Sequence, residues 1–293
     1  MITFYELGQL GRLGNQLFQY AALKSLGLEN GYEVKIPDPE KRLWHGQKCL
    51  MSNFNIEANF ISENDIKDLS HSYEEPNHEH YDKNFFTLPD DTNISGFFQS
   101  TLYFERHKSQ IIKELTPKEE FIFKAEEQIR KIKEQNPGYE IVSLHMRRGD
   151  NTDNTDPNQI TYNKHYGGEN LTKGSAYYSY FKSATDQFKN KKVKFLIFTG
   201  GKRGKEDNSQ DLLWCKKFFQ GNSFLFSENR DVMEDFCLLM SCDHHILSHI
   251  SSFGWWASYL DKKENITIAP LKYDPETSYN YRKGFYPKRW KLV

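Results

Sequence analysis

The chain has no apolar run approaching the ~20 residues a membrane span needs. Nothing at its start resembles a signal peptide either, since Met1 to Tyr5 lead directly into a strand pattern. Charge of one sign is also missing: 39 Lys and Arg against 40 Asp and Glu leave a net −1. That balance gives no basic excess for nucleic acid or an anionic membrane surface. The cysteines, Cys49, Cys215, Cys237 and Cys242, show no C-x-x-C or metal-ligand spacing and read as buried thiols of a reducing compartment. The expected place is therefore the cytoplasm, with no transmembrane segment and no nucleic-acid partner.

Several chemistries lack their motifs. The glycines after the first strand fit neither the dinucleotide G-x-G-x-x-G nor a P-loop ending in Lys-Ser/Thr. Asp150, Asp153 and Asp156 lack the spacing and glycine of a calcium loop. No Asp-x-Asp follows a strand where a nucleotide-bound metal would sit, and no G-x-S-x-G elbow is present. His244 and His245 fall inside one strand, so their rings point to opposite faces and suit structural roles better than a zinc pair.

What is present is a chain of 293 residues, long enough for two domains, rich in aromatics with 22 Phe, 17 Tyr and 5 Trp. Such rings either fill cores or stack on sugars. Ile2 to Leu7 reads as a strand, Gly8 to Gln16 as a glycine-rich turn, and the apolar periodicity to about Gly27 as a helix. That order can turn backbone N–H groups toward an anion, or can simply pack tightly. Tyr32 to Ile36 reads as a second strand, residues 37–92 as small helices and loops, and Ile94 to Gln99 as a further strand. Helical periodicity covers Tyr103 to Leu115 and Pro117 to Glu134, and Asn136-Pro137-Gly138 breaks the chain. The predicted boundary lies there, giving domains 1–138 and 139–293.

Beyond it, strands are predicted at Glu140–Leu144, Val193–Phe198, Ser223–Phe226, His244–Leu247 and Ile266–Ala269. Helices are predicted between them, near Ala176–Phe188, Ser209–Phe219, Asp231–Cys242 and Ser252–Leu260. This alternation predicts an α/β fold with a parallel doubly wound sheet, its strand-end loops gathered on one edge. His145 to Asp150 leave the first of these strands with two adjacent arginines, which either neutralise an anion or join a structural carboxylate network. Ser251 and Ser252 open the last helix, either as caps or as ligands of a diphosphate at its positive end. Asp235 lies in an otherwise apolar helix, either as a solvated acid or as an acceptor of the two donors on guanine's edge.

Taken in order, Gly11-Arg12-Leu13-Gly14-Asn15-Gln16-Leu17-Phe18-Gln19-Tyr20-Ala21, His145-x-Arg147-Arg148-Gly149-Asp150, Cys242-Asp243-His244-His245, Ser251-Ser252-Phe253-Gly254-Trp255-Trp256 and Tyr286-Pro287-Lys288-Arg289-Trp290 closely resemble the α-1,2-fucosyltransferases of glycosyltransferase family 11. The resemblance implies a GT-B-like α/β fold of two Rossmann-type halves facing across a cleft. The N-terminal half would take the acceptor and the C-terminal half the donor, with the C-terminal tail packing back on the first.

It also implies inverting transfer of L-fucose from GDP-β-L-fucose to the 2-hydroxyl of a galactose, with no metal and no cofactor. The partners implied are GDP-fucose and a galactose-terminated oligosaccharide, glycolipid or polysaccharide. Carried onto this chain, Arg147 and Arg148 would bind the diphosphate, Ser251, Ser252 and Phe253 the phosphates and ribose, and Asp235 the guanine. His145 would line the nucleotide site, and Gly14 and Asn15 would reach the diphosphate from the N-terminal half. Asp150, or in part His145, would accept the acceptor's proton; Asp150 serves equally as a partner that orients Arg148. The chain departs from the family pattern at Thr199-Gly200-Gly201, where Ser-Asp-Asp is common, and at Ile250 and Gly254, where Asn and Ser are common.

Overall fold

The computed structural model describes residues 1–77, 80–148, 176–200, 209–228, 231–249, 251–271 and 284–293. Gly149, Asp150, residues 151–175, Gly201 and Ile250 lie outside the described residues. The chain forms two compact units, Met1–Lys118 with Tyr281–Pro287, and Glu119–Asn280 with Lys288–Val293.

The first unit holds β1 (Ile2–Thr3), β2 (Val34–Ile36), the hairpin β3 (Leu43–Trp44) and β4 (Gln47–Lys48), β5 (Asn59–Phe60), β6 (His71–Glu74) and β7 (Thr92–Ser95). Its helices are α1 (Leu13–Asn30), α2 (Glu63–Lys67) and α3 (Lys108–Glu114). Apart from the hairpin, its strands form a sheet ordered β5-β2-β1-β7-β6, parallel throughout. β5 and β6 fall in the stretch read as loops and small helices. They are short, exposed edge strands with no buried alternation to betray them. β1 is shorter than predicted because the chain turns at once, with Leu7 N–H bonding the Phe4 carbonyl at 3.0 Å and Gln9 N–H that of Glu6 at 2.8 Å. α1 is buried nearly all round, and Phe4, Phe85, Phe98 and Tyr103 pack ring against ring beneath the sheet.

The second unit holds α4 (Glu119–Gln135), β8 (Glu140–Arg147), α5 (Ala176–Asp186), β9 (Val193–Gly200), α6 (Ser209–Phe218) and β10 (Phe224–Phe226). It continues with α7 (Val232–Ser241), β11 (His244–Ile246), α8 (Ser252–Leu260), β12 (Thr267–Ala269) and β13 (Lys291–Leu292). The order β10-β9-β8-β11-β12-β13 reads 3-2-1-4-5-6 counted from β8, and every pairing is parallel. This is the doubly wound order, with a reversal between β8 and β11.

The units part at Lys118, not at the break after Asn136. α4 buries Ala125 and Ile129 and packs on α7, with Lys124 3.3 Å from Glu234 and Lys133 2.7 Å from Asp243. The Asn136-Pro137-Gly138 turn therefore connects α4 to β8 inside the second unit. The tail serves both units in turn. The Gly284 carbonyl accepts from Thr101 N–H at 2.8 Å and Phe285 stacks on Phe18 in the first. In the second, Trp290 packs on Trp255 and Arg289 donates to the Tyr259 carbonyl at 3.3 Å. Among the described residues no helix is long and apolar enough to cross a membrane.

Candidate active site

Open α/β sheets take ligands beyond the carboxyl ends of their strands, where the winding reverses. In the second unit that point lies between β8 and β11. β8 continues past its apolar run through His145 to Arg147, because β9 pairs with it as far as Arg147 opposite Gly200. The Arg147 N–H donates across the switch point to Ser248 Oγ at 3.1 Å, and its Nη1 donates to the Gly200 carbonyl at 2.9 Å. The guanidinium is half-buried.

The neighbouring arginine has the other of the two roles open to it. Arg148 is 7% exposed, its Nε lies 3.2 Å from Asp211 Oδ1, and its plane lies 3.9 Å from the Trp214 ring. Burial pulls its pKa down, and the adjacent Asp211 opposes the shift. Its Nη1 is buried with no hydrogen-bond partner. The motif's two arginines thus divide: one bonds the carbonyl at the end of β9 and the other sits in a carboxylate–aromatic clamp on α6.

Two helix starts in this unit contrast in the same way. α7 is capped by Asp231, whose carboxylate accepts from the N–H groups of Met233 and Glu234 at 2.8 and 3.0 Å. At the start of α8, Ser251 occupies the N-cap position, its side chain makes no capping bond, and the first turn has no acid. The predicted capping serine therefore does not cap, and the positive end of α8 is not neutralised from within. Such an end is suited to an anion. Ser252 and Phe253 follow in the first turn, and the Phe253 ring lies 5.3 Å from Phe236 and 5.6 Å from His145.

His145 is 5% exposed, and its Nδ1 is buried without a hydrogen-bond partner. Burial, reinforced by the positive Arg147, pulls its pKa down to about 3. The ring is neutral near pH 7 and too weakly basic to serve well as a proton acceptor. Its position depends on Gly254, where an added Cβ would lie 2.8 Å from His145 Nδ1.

Asp235 is half-buried in the first turn of α7 and accepts from Ser227 Oγ at 2.5 Å. Ser227 follows β10 and is itself fixed by its N–H bonding to the Ile197 carbonyl at 2.9 Å. Asp235 is therefore an oriented carboxylate rather than a solvated helix-face acid.

The other sequence candidates resolve differently. His245 Nδ1 lies 2.8 Å from Ser143 Oγ and its Nε2 3.0 Å from Asp261, while His244 Nδ1 accepts from Ile266 N–H at 3.0 Å. Both rings are structural. Asp243 accepts from Ile141 N–H and from Lys133, tying the start of β8 to α4. Among the described residues no group of three potential metal ligands occurs.

In the first unit, Gly14 and Asn15 lie in the first turn of α1, whose N-cap residue Arg12 makes no side-chain cap. The glycine loop before it is tied by two glutamines that sequence reading passed over. Gln16 Nε2 donates to the Gly11 carbonyl at 3.1 Å, and Gln19 Nε2 donates to those of Leu10 at 2.8 Å and Gly96 at 3.1 Å. Two buried glutamines on one apolar helix were the available signal, since buried amides need partners.

Two parallel α/β sheets, one of them doubly wound around an arginine and an uncapped helix, define a GT-B-like architecture. Residues 2–293 match glycosyl transferase family 11, and the chain belongs to that family of glycosyltransferases. It is 26% identical over 287 residues to an Escherichia coli alpha-1,2-colitosyltransferase, covering 89% of each chain. It is 26% identical over 268 residues to galactoside alpha-(1,2)-fucosyltransferase 1 of Leontopithecus chrysomelas, covering 88% of this chain and 66% of that one. Among solved structures, Arabidopsis thaliana FUT1 in complex with GDP matches 98% of this chain and 74% of that chain. The TM-score is 0.51 at 12% identity, a likeness of fold.

Proposed function

We propose that the protein transfers L-fucose from GDP-β-L-fucose to the 2-hydroxyl of a galactose unit, inverting the anomeric centre and needing no metal. The carrying observation is the switch-point crevice, where Arg147 and the uncapped start of α8 meet on one strand edge. Diphosphate oxygens suit both, because guanidinium groups and helix N-termini supply fixed donors. As the sugar–phosphate bond breaks, negative charge grows on the departing GDP, and donors already in place stabilise it without reorganising. Ser251, Ser252 and Phe253 bind the phosphates and ribose, and Asp235 accepts the two donors of guanine. Gly14 and Asn15 at the start of α1 serve the diphosphate as well. Arg148, held by Asp211, contributes through Nη1 and by fixing the end of β8.

His145 lines the nucleotide site as a neutral ring, which leaves Asp150 to accept the proton of the acceptor hydroxyl. The names of the relatives support the α-1,2 linkage. The Escherichia coli relative favours one second reading, in which colitose replaces fucose in the donor.

The experiment measures GDP release and product linkage with GDP-fucose or GDP-colitose, with and without lactose, in EDTA. Acceptor-stimulated release from GDP-fucose with a new α-1,2 bond is expected. Release from GDP-colitose alone favours the second reading, and tight donor binding without transfer to any galactoside refutes the stated acceptor.

A further inference from the structure

The first unit has a switch point of its own, between β1 and β7, and the loops leaving those strands carry Gly8–Arg12 and Gly96–Gln99. The second loop is held in a conformation that it would not choose alone. Phe98 has φ +50, a left-handed backbone disfavoured for residues other than glycine. Its ring is wholly buried against Phe4, Phe85 and Tyr103. Its backbone is held by Glu75, whose Oε2 accepts from the N–H groups of Phe97 at 2.8 Å and Phe98 at 3.0 Å. Glu75 is 3% exposed, and the Tyr103 hydroxyl donates to its Oε1 at 3.4 Å. Gly96, at φ +147, allows this approach, since a Cβ there would lie 2.4 Å from Glu75 Cβ.

A buried carboxylate clamped on two backbone donors is more than a connection between strands requires. What the clamp delivers is Gln99, half-exposed, whose Nε2 donates to Asn15 Oδ1 at 2.8 Å in the first turn of α1. Gln19 crosses between the same two loops, bonding Leu10 and Gly96. Side-chain amides thus tie the β7 loop to the β1 loop through Gln19 and to the start of α1 through Gln99, and Glu75 fixes the far side of the β7 loop.

We propose that Gln99 and Glu75 are positioning residues of the transfer reaction. Glu75 holds the 96–99 loop in its left-handed turn, and the loop presents Gln99, which sets the Asn15 carboxamide at the start of α1. The inference rests on the reading that this end of α1 serves the donor. It adds two residues that no motif marks.

The test compares Gln99→Ala, Glu75→Gln and the double variant. Gln99→Ala removes a half-exposed side chain and is expected to fold. It should lower kcat for transfer from GDP-fucose to lactose about tenfold, with the melting temperature within about 2 °C of the parent. Glu75→Gln removes the charge that strengthens both backbone bonds; it should lower kcat comparably and speed amide exchange at Phe97 and Phe98. If Glu75 acts through Gln99, the double variant is no slower than the slower single. A Gln99→Ala enzyme with parental kcat overturns the proposal. So does a Glu75→Gln enzyme that loses only thermal stability, or a double variant whose losses multiply. If the parent transfers no fucose, the functional reading fails separately, and the clamp is read by NMR. Glu75→Gln should then shift the side-chain amide resonances of Asn15 and Gln99, and unchanged resonances overturn it.

Discussion

The two units share a plan, an open parallel sheet with its winding reversed beside the first strand, yet they spend their polar groups oppositely. In the first, carboxylate and amide side chains are turned on the backbone: Gln16, Gln19 and Glu75 each bond main-chain groups of the strand-end loops. In the second, the same edge shows the Arg147 guanidinium on the Gly200 carbonyl and a buried neutral histidine with an unpartnered nitrogen. The contrast teaches how to tell scaffold from site on a common fold. In the first unit these side chains brace the loops, whereas in the second a buried histidine nitrogen without a partner marks where a ligand is expected to complete it.

The largest break in that comparison comes from Arg147→Ala. It should lower transfer by about 10²–10³-fold, the cost typical of losing one charge-stabilising donor. Melting should barely change, because the residue's backbone bond to Ser248 remains. A kinetic and calorimetric pair on the one variant checks both halves. Asp211→Asn should do the reverse in kind. It strands a buried guanidinium and should destabilise the protein by about 3 kcal/mol, seen as a lower denaturation midpoint.

Acid should act on stability chiefly through the second unit. Burial lowers the pKa of His145 and of His249 to about 3 and lowers that of His245 as well. Below the ordinary histidine pKa near 6.5 the unfolded chain therefore binds more protons than the native one. Stability should be full above pH 6.5 and decline as pH falls from there toward 3. Replacing His145 with Gln should flatten part of that slope in denaturation curves taken from pH 7 to 5.

The smallest effect sharpens the contrast between helix starts. Asp231→Ala removes a real cap and should cost about 1 kcal/mol of stability while leaving GDP affinity unchanged. Ser251→Ala removes no capping bond, so it should leave stability alone and weaken GDP binding by up to about tenfold. Thermal melts and GDP titrations of the two variants should give opposite patterns.

Much of the second unit was legible in the sequence because its strands are buried runs and its helices are periodic. The Ser252–Leu260 helix was read to the residue. What periodicity could not show was position in three dimensions. His145 and Arg147 are polar and look like loop residues, yet with Met146 they are the end of a strand held by its partner β9. The two adjacent arginines could not be separated by sequence, since their division depends on Asp211 and Trp214, more than sixty residues away. In the first unit β5 and β6 escaped notice because edge strands only a few residues long bury almost nothing. Glu75 escaped because a lone acid in a polar stretch looks solvated until the fold closes over it.

The crevice between β8 and β11 is proposed to hold a guanine nucleotide through Arg147, the start of α8 and Asp235. Calorimetric titration of the protein with GDP and with ADP, in EDTA, tests it most directly. The account predicts that GDP binds at least about a hundredfold more tightly than ADP, two good base contacts at 1.4 kcal/mol per tenfold. It predicts that Asp235→Ala removes most of that preference. Equal binding of the two nucleotides by the parent protein, or a GDP preference untouched in Asp235→Ala, would contradict it.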